Sequence, residues 1–225
     1  MNYGLKTVVK IPIDGISLDA FLTVPEESAG LVIFSHGKGS SRFSSRNNFV
    51  ADELNKQNIA TLLVNLLTAN EDELHENRFE ISLLTKRFVL ITQWVLKHPH
   101  LKDLPIGLFG ASTGAASALN AAAILQNDIK AVVSRGGRTD LAKENALPLI
   151  TAQVLLIAGS LDTPVILMNK ETLQKLRCKK DMIIINGASH LFEEFGKLKL
   201  VTQLTTHWFI KSLVQPATQY STHIY

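Results

Sequence analysis

Cysteine is almost absent: Cys178 is the only one among 225 residues. That excludes an intramolecular disulfide and any cysteine-built metal cluster, and with them the secreted scaffolds and zinc modules that depend on such features. Cys178 lies in Arg177-Cys178-Lys179-Lys180 at an expected helix end, where it reads as a bystander. Long apolar runs are missing as well. No stretch approaches the roughly 20 residues that cross a bilayer, and residues 1–13 lack the charged-then-apolar layout of a secretory leader. Charge of one sign is scarce: 23 Lys and Arg against 20 Asp and Glu leave a net +3. No basic run tracks a nucleic-acid backbone. Repeats, low-complexity tracts and linkers are also lacking. The expectation is a cytoplasmic protein with no membrane and no nucleic-acid partner. It is expected to form one domain over residues 1–215, followed by a polar tail at 216–225.

What is present is a chain of 46% hydrophobic residues whose apolar runs alternate with helix-period segments, the rhythm of a mostly parallel sheet. Residues 7–11 and 17–24 read as a hairpin across Asp14-Gly15. Further strands are predicted at 31–35, 61–67, 106–109, 131–134, 154–158 and 182–186. Helices are predicted at 48–58, 79–97, from Ser112 onward, at 165–176 and at 192–213.

The densest signal is Gly110-Ala111-Ser112-Thr113-Gly114. The strand Ile106-Gly107-Leu108-Phe109 precedes it and an Ala-rich helix follows. G-x-S-x-G between a strand and a helix is the nucleophile-elbow pattern. Glycines relieve the tight turn, the serine is raised from the sheet edge, and the helix N-terminus beneath it offers N–H groups to a developing oxyanion. Serine is a poor nucleophile without a base, and the base needs an orienting acid. Triads in this arrangement run Ser, Asp or Glu, then His along the chain. Gly159-Ser160-Leu161-Asp162 and Ala188-Ser189-His190 supply the later members, each just past a strand. Other readings stay open. Ser112 could merely begin a helix, Asp162 could be only a helix cap, and Asp140 is a rival acid. A second oxyanion donor is expected after Phe34-Ser35-His36-Gly37, at the backbone N–H of Lys38, beside that of Thr113. His36 reads as a ring pinning its loop by hydrogen bonds.

These motifs resemble the α/β-hydrolase superfamily and, within it, the dienelactone hydrolase-like group, from Ile13 to about Leu213. The resemblance implies an α/β fold with a mostly parallel eight-stranded sheet flanked by helices. It implies a two-step acyl transfer by Ser112, His190 and Asp162, with no metal and no organic cofactor. The family's namesakes carry a cysteine nucleophile where this chain has Ser112, which favours general ester hydrolysis over the specific lactone reaction. A lid domain commonly enters between strands where this chain has only the short run from Ser134 to Gln153, so little or no lid is expected. The expected partner is a small-molecule ester or lactone.

Arg42, Arg46, Arg78, Arg135 and Arg138 all follow predicted strands and so fall towards the catalytic edge. Guanidinium forks recognise carboxylates, which makes Arg42, Arg135 and Arg138 candidates for an anionic substrate group. The competing reading pairs the arginines with the acidic residues Glu71, Asp72, Glu73, Glu76 and Glu80. Two other functions share the pattern: a thioesterase or other acyl transferase on the same triad, and a hydrolase scaffold that only binds a ligand or partner.

Overall fold

The computed structural model describes residues 4–37 and 40–214. Strand β1 (Thr7–Ile13) turns straight back into β2 (Ile16–Thr23). Asp14 and Gly15 make the turn with φ of +46° and +77°, the left-handed pair that a two-residue hairpin of the right twist needs. β3 (Gly30–Ser35), β4 (Ile59–Val64) and β5 (Ile106–Ala111) are buried at every position. β6 (Ile129–Arg135) and β7 (Gln153–Gly159) are nearly so. Continuous apolar strands belong in a sheet covered on both faces. β8 (Lys180–Ile185) closes the far edge. The order across the sheet is β1-β2-β4-β3-β5-β6-β7-β8. β2 runs antiparallel to both of its neighbours, and every other pair is parallel. The expected eight-stranded, mostly parallel sheet is therefore present.

Helices α1 (Ser45–Lys56) and α6 (Lys197–Leu213) cover one face, where Val50, Leu54 and Phe209 join Phe34, Phe109 and Val133 in one core. The short α2 (Ala69–Glu73) starts on a capping box between Thr68 and Glu71. It leads towards α3 (Ile81–Lys97), which packs with α4 (Gly114–Leu125) on the opposite face, where Phe88 and Leu119 meet Ile33 and Leu108. α5 (Thr163–Lys175) lies beside β7 and β8. Every residue of α4 except Ile124 is buried, and its alanines let the helix lie close under the elbow. Residues 136–152, between β6 and β7, hold only two short 3-10 turns, Thr139–Leu141 and Leu147–Leu149, and no lid. No helix among the described residues is long and apolar enough to cross a membrane. The segment 216–225 lies outside the described residues.

Three helices begin later than the sequence predicts, the one expected from Ser112 starting at Gly114. The one expected at 79–97 starts at Ile81, because residues His75–Phe79 wind as a 3-10 turn. The one expected at 192–213 starts at Lys197. Phe192 and Gly196 have φ of +58° and +76°, conformations that an α-helix cannot contain. The reason is packing: Phe192 is 1% exposed and turned into the core, which pins the loop that carries His190. The strand expected at 61–67 lies at Ile59–Val64, and Asn65 extends its pairing with β2 by one bond, donating its N–H to the Asp19 carbonyl at 3.0 Å.

Because β3 and β5 to β8 are parallel, the loops after them share one edge. Glycine lets two of these loops touch: a Cβ at Gly159 would sit 2.3 Å from the Ala188 carbonyl oxygen. Gly159→Ala is expected to force the loops after β7 and β8 apart, lowering stability by about 1–3 kcal/mol in urea unfolding. An unchanged midpoint would show that this close approach is dispensable.

Candidate active site

The elbow is built by the close fit of β5 and α4. A Cβ at Gly114 would lie 2.4 Å from the Ser35 carbonyl oxygen, so only glycine lets α4 start so near β3. Ser117 ties the helix down, donating to the Gly114 carbonyl at 2.9 Å and sharing a 2.8 Å hydroxyl contact with Ser35. Ser112, caught between strand and helix, has φ of +51°. A left-handed non-glycine residue costs about 1–2 kcal/mol, and neighbours hold it there. Its N–H donates to the Arg135 carbonyl at 3.1 Å, while its own carbonyl accepts from Ala115 at 3.1 Å and Arg138 at 3.0 Å.

The loops after β7 and β8 bring Asp162 and His190 to this serine. They are stitched together: the Leu161 N–H donates to the Ala188 carbonyl at 3.0 Å, and the Gly187 N–H donates to the Ser160 hydroxyl at 2.8 Å. Ser189 N–H donates to Glu194 Oε1 at 3.0 Å. Asp162 occupies the position before α5 but makes no capping hydrogen bond with its side chain. Instead its Oδ2 lies 2.6 Å from His190 Nδ1. A carboxylate can only accept, so Nδ1 carries the proton and Nε2 presents a lone pair. That Nε2 is 3.3 Å from Ser112 Oγ, a long contact of the kind that tightens when substrate binds. Asp162 is mostly buried, with 15% side-chain exposure against 38% for His190, so the ring stands between a sheltered charge and an open site. The three side chains form a connected path that can take a proton from the serine hydroxyl and stabilise the resulting imidazolium. Asp140 is engaged elsewhere, accepting two hydrogen bonds from Arg138 at 2.9 and 2.8 Å.

Thr113 is buried at the mouth of α4. Lys38, the other expected oxyanion donor, lies outside the described residues. The His36 ring is tied to its own loop, its Nδ1 donating to the Gly37 carbonyl at 3.2 Å, while Nε2 is buried without a partner among the described residues. Burial pushes its pKa down, so the ring is held neutral.

The arginines divide sharply. Arg42 is 3.5 Å from Asp19 and stacks near the rings of Phe21 and Phe43. Arg46 donates to Glu193 at 2.8 Å. Of the arginines singled out in the sequence, only Arg78 pairs with the acidic segment, donating to both oxygens of Asp72. Arg87 on α3, missed by the sequence reading because it sits inside an apolar helix, donates to Glu71 at 2.8 Å. Arg135 differs from all of these. It is 8% exposed, and among the described residues its Nη1 is buried without a partner and it forms no ion pair. It packs over the Phe109 ring at 5.9 Å. Burial, then the neighbouring Arg46 charge, lower its pKa to about 10, so it remains cationic at neutral pH. Cys178 is half-buried, and burial pushes its thiol pKa up, as befits an unreactive thiol.

Comparison with known proteins places this geometry. Residues 88–211 match the family described as BAAT / Acyl-CoA thioester hydrolase C terminal. A dienelactone hydrolase from Anabaena variabilis is 45% identical in sequence, with a TM-score of 0.90 over 93% of this chain and 98% of that one. Est1E from Butyrivibrio proteoclasticus, at 18% identity, shares the fold with a TM-score of 0.80 over 92% of this chain and 99% of that one. A Mycobacterium tuberculosis protein that bears the name of a phosphoribosyl transferase is 43% identical over 208 residues, 92% of this chain. The chain spans 47% of that relative, so the name belongs to a protein about twice as long. The eight-stranded sheet, the lidless edge and the 45% identity over nearly the whole chain have one meaning: the protein belongs to the dienelactone hydrolase-like group of the α/β-hydrolase superfamily.

Proposed function

We propose that this chain, as a single hydrolase domain over residues 1–215, hydrolyses small carboxylic esters or lactones through an acyl-enzyme. The observation that carries this reading is the unbroken contact path from Asp162 through His190 to Ser112. His190 Nε2 takes the Ser112 proton as Oγ attacks the substrate carbonyl, and Asp162 holds the ring in the required tautomer. On this reading the backbone N–H groups of Thr113 and Lys38 donate to the oxyanion that forms. His190 then passes its proton to the leaving oxygen, and water repeats the cycle to release the acid. Serine, histidine and aspartate suffice for this chemistry, so it asks for no metal or organic cofactor.

The anionic-substrate reading now narrows. Arg138 is committed to Asp140 and Arg42 to Asp19, while Arg135 is a buried cation with no carboxylate partner among the described residues, in the strand end beside the elbow. Its carbonyl holds Ser112, and the next residue, Gly136, would place a Cβ 3.5 Å from the His190 ring. A substrate carboxylate or phosphate is the group that would complete it. Thioester hydrolysis on the same triad is the second reading, favoured by the match over residues 88–211.

Short p-nitrophenyl esters, simple lactones and acyl-CoA thioesters, assayed side by side, test the choice. Ester or lactone turnover exceeding thioester turnover is expected. The reverse order would make the chain a thioesterase, and no turnover of any class would leave the scaffold as a binding protein.

A further inference from the structure

The turn at residues 135–138, which leaves β6, grips the nucleophile by both of its backbone groups. The Arg135 carbonyl accepts the Ser112 N–H at 3.1 Å, and the Arg138 N–H donates to the Ser112 carbonyl at 3.0 Å. Between these contacts the turn presses on the base and on α4. A Cβ at Gly136 would sit 3.1 Å from the His190 carbonyl oxygen and 3.5 Å from its ring atom Cε1. A Cβ at Gly137 would sit 2.6 Å from that of Ala115. Acid and base form a second unit, their loops joined by the Leu161–Ala188 and Gly187–Ser160 hydrogen bonds, with Asp162 at the head of α5. Asn169, on α5 and with no exposure, reaches from this unit to the turn. Its Nδ2 donates to the Gly137 carbonyl at 2.8 Å and to the Val165 carbonyl, one turn back in α5, also at 2.8 Å. Two acceptors on that side require the amide nitrogen there, because Oδ1 would face two carbonyl oxygens.

We infer that Asn169 is a positioning residue of the triad, and that its bond to Gly137 sets the distance between His190 Nε2 and Ser112 Oγ. The inference rests on the ester-hydrolase reading above. Asn169 lies about two helical turns along α5 from Asp162. Its bond to Val165 steadies the first turns of α5, behind Asp162, while its bond to Gly137 holds the turn that carries Ser112. Without the second bond, the acid–base unit and the nucleophile can slide past one another while each stays internally intact. The loss falls on the Ser112–His190 contact, already 3.3 Å long, whereas the 2.6 Å contact between Asp162 and His190 survives. A misplacement of about 1 Å, caused away from the reacting atoms, can cost about 100-fold in rate.

Asn169→Thr separates the two bonds. Threonine is of similar volume, and in a helix its hydroxyl bonds the carbonyl four residues earlier, here that of Val165. Its single hydrogen is then spent and Gly137 is released. Active sites are counted by the p-nitrophenolate released stoichiometrically from diethyl p-nitrophenyl phosphate, and kcat on p-nitrophenyl acetate is expressed per titrated site. The expected result is a fall in kcat per site of about 10–100-fold, with KM changed by less than about threefold. The acid-limb pKa of kcat/KM should stay where wild type has it, because the acid–base pair is intact. A purely structural role would lower the titratable fraction and the melting temperature but leave kcat per site unchanged, and that result overturns the inference. A shifted acid limb would place the damage at the Asp162–His190 contact and contradict it equally. Gly136→Ala covers the case of an Asn169→Thr protein that does not fold, since it pushes the turn away from His190 and leaves Asn169 in place. It should lower kcat per site by about tenfold or more, and wild-type kcat per site would overturn the inference. Wild-type protein that turns over no ester and releases no p-nitrophenolate fails the parent reading instead, and leaves Asn169 no triad to position.

Discussion

Ser112→Ala and His190→Ala are each expected to lower kcat on p-nitrophenyl acetate by about 10⁶-fold, while the melting temperature stays near that of wild type. The two losses should be alike because the residues act as a unit: an alkoxide cannot form without the base, and the base has nothing to deprotonate without the serine. Asp162→Asn is expected to lower kcat by about 10⁴-fold, since an amide facing His190 Nδ1 favours the tautomer that presents a proton, not a lone pair, to Ser112. Asp140→Asn serves as the control. Its carboxylate is held by Arg138, so activity should remain near wild type. Collapse in Asp140→Asn with retention in Asp162→Asn would move the acid to Asp140.

Arg135→Met is expected to raise stability and lower function together. The native guanidinium is charged, buried and without an ion-pair partner among the described residues, and replacing buried ions by apolar groups of similar volume stabilises proteins by about 1–4 kcal/mol. The methionine side chain fills much of the same space over Phe109. The functional loss should fall on substrates with an anionic group. The ratio of kcat/KM between matched acidic and neutral p-nitrophenyl esters is expected to drop by about tenfold or more, mainly through KM. Stability is read from urea unfolding and specificity from steady-state kinetics. A destabilised variant with an unchanged ratio would make Arg135 a structural residue. Arg138→Gln, which loses only an exposed pair with Asp140, should leave the ratio in place.

Much of this architecture is legible in the chain because its signals are local. The elbow glycines, the Asp14-Gly15 hairpin and the fully apolar strands each answer to short-range geometry. Chain order and strand ends bring Asp162 and His190 to the right edge, and the resemblance adds the eight-stranded arrangement. What was not legible depends on contacts between distant residues. The start of α6 at Lys197 follows from Phe192 being drawn into the core beneath α6, a demand that helix periodicity in 192–213 does not record. The arginines show the same limit. Their position after strands was readable, but which of them finds a carboxylate depends on Asp19, Glu193 and Asp140 arriving from elsewhere in the fold.

The central claim is that Ser112 becomes covalently acylated, and labelling with a fluorophosphonate followed by peptide mass spectrometry tests it most directly. The account predicts a single adduct on the peptide carrying Ser112, absent from Ser112→Ala and strongly slowed in His190→Ala. An unlabelled Ser112 in a protein that still turns over esters, or an adduct on another residue that accounts for the activity, would contradict it.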